Sequence, residues 1–270
     1  MNPKMKIMNN KTVLITGGTG SFGRYFAKFL LDNSRLKKLI ILSRDELKQF
    51  QMRQEMNDDR LRFFLGDIRD PDRLQRAFHE VDIVIHAAAL KQVPTLEYNP
   101  FEAIKTNILG SYNVINAAID QKIKKVVVIS SDKAVQPINL YGATKLCAEK
   151  LFTSGNTYAW KKTKLCSVRY GNVIGSRGSV IPLFERQIES GGPVTITDPQ
   201  MTRYFMTIPE SVQLVLQASV LDHAARTYIL DMGEPIRILD LASNMIRLTG
   251  HQPGEIEIRT TGMRAGEKLH

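Results

Sequence analysis

The stretch KTVLITGGTGSFGRYFAKFLL, Lys11 to Leu31, decides the fold. KTVLIT (Lys11 to Thr16) is strand-like, and Gly17, Gly20 and Gly23 follow it. An amphipathic run from about Ser21 to Leu31 then reads as a helix. Glycines at such a junction let the backbone turn sharply and approach a pyrophosphate, whose charge is stabilised by free N–H groups at the helix start. The spacing is GxxGxxG rather than GxGxxG, and a tight strand–helix turn wants glycine anyway. A strand before and a helix after, inside a βαβ unit, turn the reading towards a dinucleotide site. Thr19, Ser21 and Phe22 complete that turn.

Outward from this turn the alternation continues. LIILS (Leu39 to Ser43) is followed by a polar helical run, Glu46 to Met56. RFFLGD, DIVIHAAA and KVVVISS read as further strands, separated by helical stretches at Pro71 to Phe78 and Phe101 to Ile119. Strands that are continuously apolar belong to a parallel sheet covered on both faces. The expected fold is therefore α/β, a doubly wound, Rossmann-like parallel sheet with right-handed crossovers. After Asn172 the elements shorten, around GSRGSVIP, ESGGPVTITDPQ and the Pro253–Gly254 turn. Residues 1–172 are expected to hold the dinucleotide, and 173–270 to form most of a smaller substrate lobe. RTYILDMG (Arg226 to Gly233) should rejoin the sheet as a strand.

Composition narrows the function classes. The chain has 270 residues, 43% hydrophobic and 24% charged, as soluble globular proteins do. Its net charge of +10 is spread over clusters such as Lys122/Lys124/Lys125 and Lys161/Lys162/Lys164, without interleaved aromatics. That is no nucleic-acid footprint; it suits an anionic, phosphate-bearing ligand. The apolar runs are too short to span a membrane, and no secretory h-region follows MNPKMKIMNN, so a cytoplasmic location is expected. Cys147 and Cys166 read as buried small hydrophobes, and the five scattered histidines predict no metal site.

The end of the second strand selects the dinucleotide. An acidic residue there would grip the ribose 2′-hydroxyl of NAD. This chain instead has Ser43 and Arg44, a hydroxyl and a guanidinium suited to a 2′-phosphate, and so NADP is expected. Asp45 and Glu46 come next and suit a helix start. Asp67 and Ile68 fall on the adenine side, and Ala87, Ala88 and Ala89 on the nicotinamide side.

The reactive residues are concentrated in SSDKAVQPINLYGATK, Ser130 to Lys145. Tyr141 and Lys145 lie four apart on one helix face, where an ammonium lowers a phenol's pKa and makes it a usable general base. Ser130 and Ser131 arrive at a strand end beside the cofactor. Together these features resemble the extended short-chain dehydrogenase/reductase superfamily. Asp132 and Lys133 add an acid and an amine to the same loop. Such a pair could take a proton next to a newly formed ketone and protonate a departing hydroxyl.

SSDKAVQPINLYGATKLCAEKLF, RYGNVIGSRGSVIP, MTRYFMTIPESVQLVLQA and RAGEKLH resemble the UDP-N-acetylglucosamine 4,6-dehydratases over nearly the whole chain. The N-terminal two-thirds is most similar to the short, inverting enzymes. VTITDPQMTRYFMTIPESVQLVLQA and YILDMGEPIRILDLA resemble the catalytic domains of membrane-anchored retaining ones, many of which have methionine in place of Tyr141, so both C5 outcomes stay open. The resemblance implies that Tyr141, supported by Lys145, deprotonates the C4 hydroxyl, that Lys133 takes the C5 proton and that Asp132 protonates the leaving C6 hydroxyl. It implies substrate contacts from Ser131, Lys91, Asn172, Arg203, Arg264 and Glu267 to a UDP-sugar, and a homo-oligomer. Related enzymes continue beyond GEKLH, so a C-terminal tail is expected to be missing. A C4 epimerase of the same superfamily is the alternative; it needs no C5 base. A non-enzymatic NADP-binding protein would need neither Tyr141 nor Lys145.

Overall fold

The computed structural model describes residues 3–160, 162–176, 178–252 and 254–270. Lys161 of the basic cluster, Arg177 of GSRGSVIP and Pro253 of the expected turn lie outside the described residues. The first half alternates β1 (Thr12–Thr16), α1 (Ser21–Asn33), β2 (Lys38–Ser43), α2 (Glu46–Met56), β3 (Leu61–Leu65), α3 (Pro71–Ala77) and β4 (Ile83–His86). Then come α4 (Val93–Tyr98), α5 (Pro100–Ala103), a π turn at Ile104–Leu109, α6 (Gly110–Asp120), β5 (Lys125–Ile129), α7 (Leu140–Tyr158) and β6 (Lys164–Arg169).

Shorter elements follow: β7 (Asn172–Val173), α8 (Val180–Glu189), β8 (Val194–Ile196), β9 (Thr202–Arg203), β10 (Phe205–Met206) and α9 (Ile208–Val220). The described chain closes with β11 (Thr227–Ile229), β12 (Ile236–Arg237), α10 (Ile238–Leu248) and β13 (Ile258–Thr260).

Seven strands form one parallel sheet in the order β11-β6-β5-β4-β1-β2-β3. The chain winds one way from β1 and the other way from β4, so the carboxyl ends of β1 and β4 flank the switch point, where such sheets bind ligands. Both faces are covered. Phe26 and Leu30 of α1 pack with Val212 and Val215 of α9 on one side. Leu74, Phe78, Val114 and Phe152 cover the other. A separate core of Phe184, Ile188, Val194, Ile196 and Ile246 builds the smaller lobe.

Four features differ from the sequence expectation. Helix α9, read as part of the lobe, packs its apolar face on α1 and the sheet. Of RTYILDMG only Thr227–Ile229 pairs, with β6. Cys147 is exposed, because it lies on the outer face of α7, while Cys166 is buried as expected and burial pushes its thiol up to about 11. The predicted helix Phe101 to Ile119 is also interrupted by the π turn, which carries the buried Asn107. Asn107 Oδ1 accepts from Leu90 N (2.8 Å), and Nδ2 donates to Leu90 O (2.9 Å) and Thr144 Oγ1 (3.0 Å). The loop after β4 is thereby tied to α7. Such single π turns recur at functional sites.

His86, at the end of β4, shows how the sheet holds its reactive edge. Ser111 Oγ donates to Asn107 O, so it accepts from His86 Nε2 (3.1 Å), leaving Nδ1 to accept from Thr16 Oγ1 (2.7 Å). Burial, with the Lys145 charge adding to it, pushes His86 down to about 3, so the ring is neutral. The unfolded chain binds a proton here near 6.5 that the folded chain refuses. Stability should therefore fall as pH drops from about 6.5 towards 3. Urea titrations between pH 7 and 5 should show that slope. His86→Phe should flatten it while costing about 1–3 kcal/mol for the hydroxyls left without the ring.

Candidate active site

The turn after β1 and the start of α1 form one end of the site. Gly17 N donates to Leu42 O (2.8 Å) and Gly20 N to Gly17 O (3.0 Å), closing the turn. The N-cap of α1 is Gly20, which offers no side chain to the first-turn amides. A helix start without a capping side chain suits an anionic phosphate. Ser43 is buried at the end of β2, its Oγ 2.9 Å from Thr19 Oγ1. Arg44 is half exposed, its guanidinium 3.6 Å from Asp67. Although burial works to raise it, the Arg69 hydrogen bonds and the Arg69 and Arg44 charges hold Asp67 below the usual carboxylate range. Asp45 caps α2 by accepting from Lys48 N (3.0 Å), as its place after Arg44 implied.

The other end is built where β5 meets α7. Lys145 is buried and its Nζ donates to Ile129 O (2.8 Å). One turn further along α7, buried Glu149 accepts from Ser130 Oγ and from Arg169 Nε (2.8 Å) and Nη2 of β6. The end of β5 is thus held by two side chains of α7. Beyond it, Ser131 Oγ donates to Asp132 Oδ1 (2.8 Å), and Lys133 Nζ lies between Asp132 Oδ1 (3.2 Å) and Asn172 Oδ1 (2.9 Å). The Tyr141 hydroxyl lies close to Ser131. Gly142 packs on this turn so closely that a Cβ there would stand 2.1 Å from Lys133 O.

The electrostatics differ in one respect from the expectation for a tyrosine–lysine pair. Burial pushes the Tyr141 phenol up to about 12; the Asp132 charge adds to this and the nearby Ser131 hydroxyl offsets part of it. Burial lowers Lys145 to about 8, opposed by Glu149. The lysine is engaged with Ile129 O, so in the protein alone the phenol rises rather than falls. Lys91 is lowered by burial and by the nearby Lys133 charge.

All the candidate binding and catalytic residues read from sequence line a single cleft of about 1490 Å³. Drug-sized ligand pockets run to about 1,000 Å³, so this one has room for a dinucleotide and a second ligand together. Arg203 is placed differently from its neighbours: its guanidinium donates to Thr202 O (2.6 Å), Lys268 O (2.7 Å) and Leu269 O (3.2 Å). Glu267 Oε2 accepts from Arg264 N (3.2 Å). Sequence reasoning missed Thr106, Arg169, Arg186 and Glu149. Thr106 Oγ1 is buried without a hydrogen-bond partner on the cleft wall, a position created by a π turn that no residue pattern announces. Glu149 had a signal, its place one turn after Lys145. Glu149→Gln should strand the Arg169 charge and cost about 3 kcal/mol. The difference in unfolding free energy from urea titrations at pH 7 measures this.

Comparison with known proteins follows this geometry. Residues 13–270 match the polysaccharide biosynthesis protein family. A UDP-N-acetylglucosamine 4,6-dehydratase (inverting) of Campylobacter jejuni is 47% identical over 98% of this chain and 77% of its own length. A protein of Rickettsia prowazekii named UDP-glucose 4-epimerase is also 47% identical, over 96% of this chain and 76% of its own. The X-ray structure of Pen from Bacillus thuringiensis superposes with a TM-score of 0.92 at 44% identity, covering 97% of this chain and 80% of that one.

Proposed function

The chain belongs to the polysaccharide biosynthesis protein family, and from that premise we propose that it is a UDP-N-acetylglucosamine 4,6-dehydratase with NADP as its dinucleotide. The observation that carries the reading is the Asp132–Lys133 turn beside Tyr141. Oxidising a hydroxyl by hydride loss to a dinucleotide asks the protein only for the tyrosine and lysine. Eliminating water from the neighbouring carbons needs a second base and an acid, and this turn offers both.

The first domain, residues 1–172 with the strand near 226–233, holds the dinucleotide, and 173–270 supply most of the substrate lobe. The start of α1, with Thr19, Gly20, Ser21 and Phe22, receives the pyrophosphate; Gly17 and Gly23 flank it. Ser43 and Arg44 face the 2′-phosphate, Asp67 and Ile68 the adenine, and Ala87, Ala88 and Ala89 the nicotinamide. When bound, the dinucleotide supplies a hydride acceptor for C4 and a hydride donor for C6. Lys91, Asn172, Arg203, Arg264 and Glu267 serve the UDP-sugar.

Tyr141 takes the C4 hydroxyl proton. Lys145, as a cation, stabilises the phenolate that this step requires. Lys133 then takes the C5 proton, acidified by the C4 ketone, and Asp132 protonates the departing C6 hydroxyl. These roles require a shared proton on Asp132 and none on Lys133 Nζ, which stands 3.2 Å from Asp132 Oδ1. That placement makes the pair a neutral base and a neutral acid with no change in net charge. Asn172 Oδ1 keeps the amine directed in either state.

Incubating the protein with UDP-N-acetylglucosamine in deuterated water and following it by NMR tests the reading. A 4-keto-6-deoxy product deuterated at C5 is expected, and its C5 configuration distinguishes inversion from retention. Recovery of a C4 epimer alone would establish the epimerase instead. Lys133→Ala should slow C5 exchange about 10²- to 10⁴-fold with dinucleotide affinity unchanged. Because Lys145 acts as a cation with a pKa near 8, kcat should decline as pH rises through about 8. Arg44→Ala should weaken NADP binding more than NAD binding in a fluorescence titration, and equal weakening of the two would remove the 2′-phosphate assignment.

A further inference from the structure

Asn139 stands at a junction that the mechanism has not used. It is the N-cap of α7, its Oδ1 accepting from Gly142 N (2.8 Å), two residues before Tyr141. The other end of the same amide donates from Nδ2 to Gly266 O (2.8 Å), 127 residues away in the segment Arg264–His270. Gly266 lies so close that a Cβ on it would come within 2.9 Å of Asn139 Cβ, and its φ is +75°. Side chains other than glycine strain that backbone and collide there.

The segment is fastened on both sides. Towards the lobe, Arg203 donates to Lys268 O and Leu269 O, and Thr202 N donates to Leu269 O (3.0 Å). Towards the catalytic loop, Lys268 Nζ donates to Val135 O (2.6 Å). Arg264, just before these fastenings, and Glu267, among them, line the cleft. Gly142 in turn touches the carbonyl of Lys133, so the start of α7 sets the spacing between Tyr141 and the Asp132–Lys133 turn.

We infer that Asn139 is a positioning residue that couples occupancy of the Arg264–Glu267 segment by a nucleoside diphosphate to the alignment of Tyr141 with Asp132 and Lys133. The inference rests on the nucleotide-sugar reading above. A diphosphate drawn to Arg264 fixes the Gly266 carbonyl, the carbonyl fixes the Asn139 amide, and the amide fixes the first turn of α7. Arg203 then acts from behind, holding the segment by its carbonyls. Binding energy from the unreacting end of the substrate would thereby be expressed at the sugar, where small misplacements weigh heavily on rate.

Two variants of the full chain separate coupling from capping. Asn139→Ser and Asn139→Asp each keep an N-cap acceptor of comparable strength but lose the donor to Gly266 O, so thermal midpoints should stay near that of the unsubstituted chain. Hydrogen–deuterium exchange is then followed with UDP as the probe. In the unsubstituted chain UDP should protect residues 264–268 and also 132–142. In both variants the first protection should persist and the second vanish, while kcat with UDP-N-acetylglucosamine falls about tenfold or more and UDP affinity changes by a smaller factor. Variants that pass protection on to 132–142 as before would overturn the coupling. If UDP protects both segments of the unsubstituted chain but the sugar nucleotide is not turned over, the coupling stands and the substrate assignment falls. Turnover accompanied by protection of 264–268 alone overturns the coupling and keeps the substrate.

Discussion

The contact between Gly142 and the Lys133 carbonyl is the constraint around which the cleft is arranged. A Cβ at residue 142 would overlap that oxygen, so α7 and the turn after β5 share a spacing that only a glycine permits. Because Tyr141 is on one side of this contact and Asp132 and Lys133 are on the other, the contact sets the spacing between Tyr141 and the Asp132–Lys133 turn. The rest of α7 serves to hold its first turn in that place. Lys145 reaches the Ile129 carbonyl, Glu149 takes the Ser130 hydroxyl and the Arg169 fork, and the Thr144 hydroxyl receives the Asn107 amide. The helix is stapled to β5, β6 and the π turn over its first three turns.

The same arrangement explains why so many buried polar groups are tolerated beneath the cleft. His86, Asn107, Ser111, Thr144 and Glu149 are all buried, and each has a partner in the hydrogen bonds above. Satisfied in this way, they cost little and fix one geometry; with one member removed, the remainder would be left unpaired in a low dielectric. Among the described residues Thr106 and Ser179 carry buried hydroxyls without a hydrogen-bond partner, and both lie on the cleft wall, where a ligand atom could supply one.

Much of this was legible in the sequence because it follows from short-range rules. Continuous apolar strands, the glycine turn and the Asp45 cap each announce themselves within a few residues, and the seven-stranded parallel sheet followed. The clustering of SSDKAVQPINLYGATK also survives, since a strand end and a helix start joined by a short loop have little freedom to separate. What escaped is long-range or subtractive. Helix α9 has the pattern of any amphipathic helix, and its partner face on α1 is set by the return of β11 to the sheet. The interruption of α5–α6 by a π turn depends on Asn107 finding both Leu90 and Thr144, residues far from it in sequence. The carbonyl partners of Arg203 at Lys268 and Leu269 were likewise out of reach of the sequence, since they lie about 65 residues away; its place on the cleft wall was not.

The effect of burial on Tyr141 and Lys145 bears on how the site works. A phenol at about 12 beside a lysine at about 8 is a poor base when the cleft holds protein alone. Both shifts have the same main cause, burial, which penalises each charged form separately. Burial penalises a phenolate and an ammonium less when they form together, since their field is then that of a pair. A further cation brought into the cleft acts in the same direction on the phenol, and an oxidised nicotinamide is such a cation. The deep placement that makes Tyr141 reluctant to ionise alone therefore makes its ionisation depend on what else occupies the cleft. Asp132 opposes it as an anion and ceases to oppose it as a neutral acid.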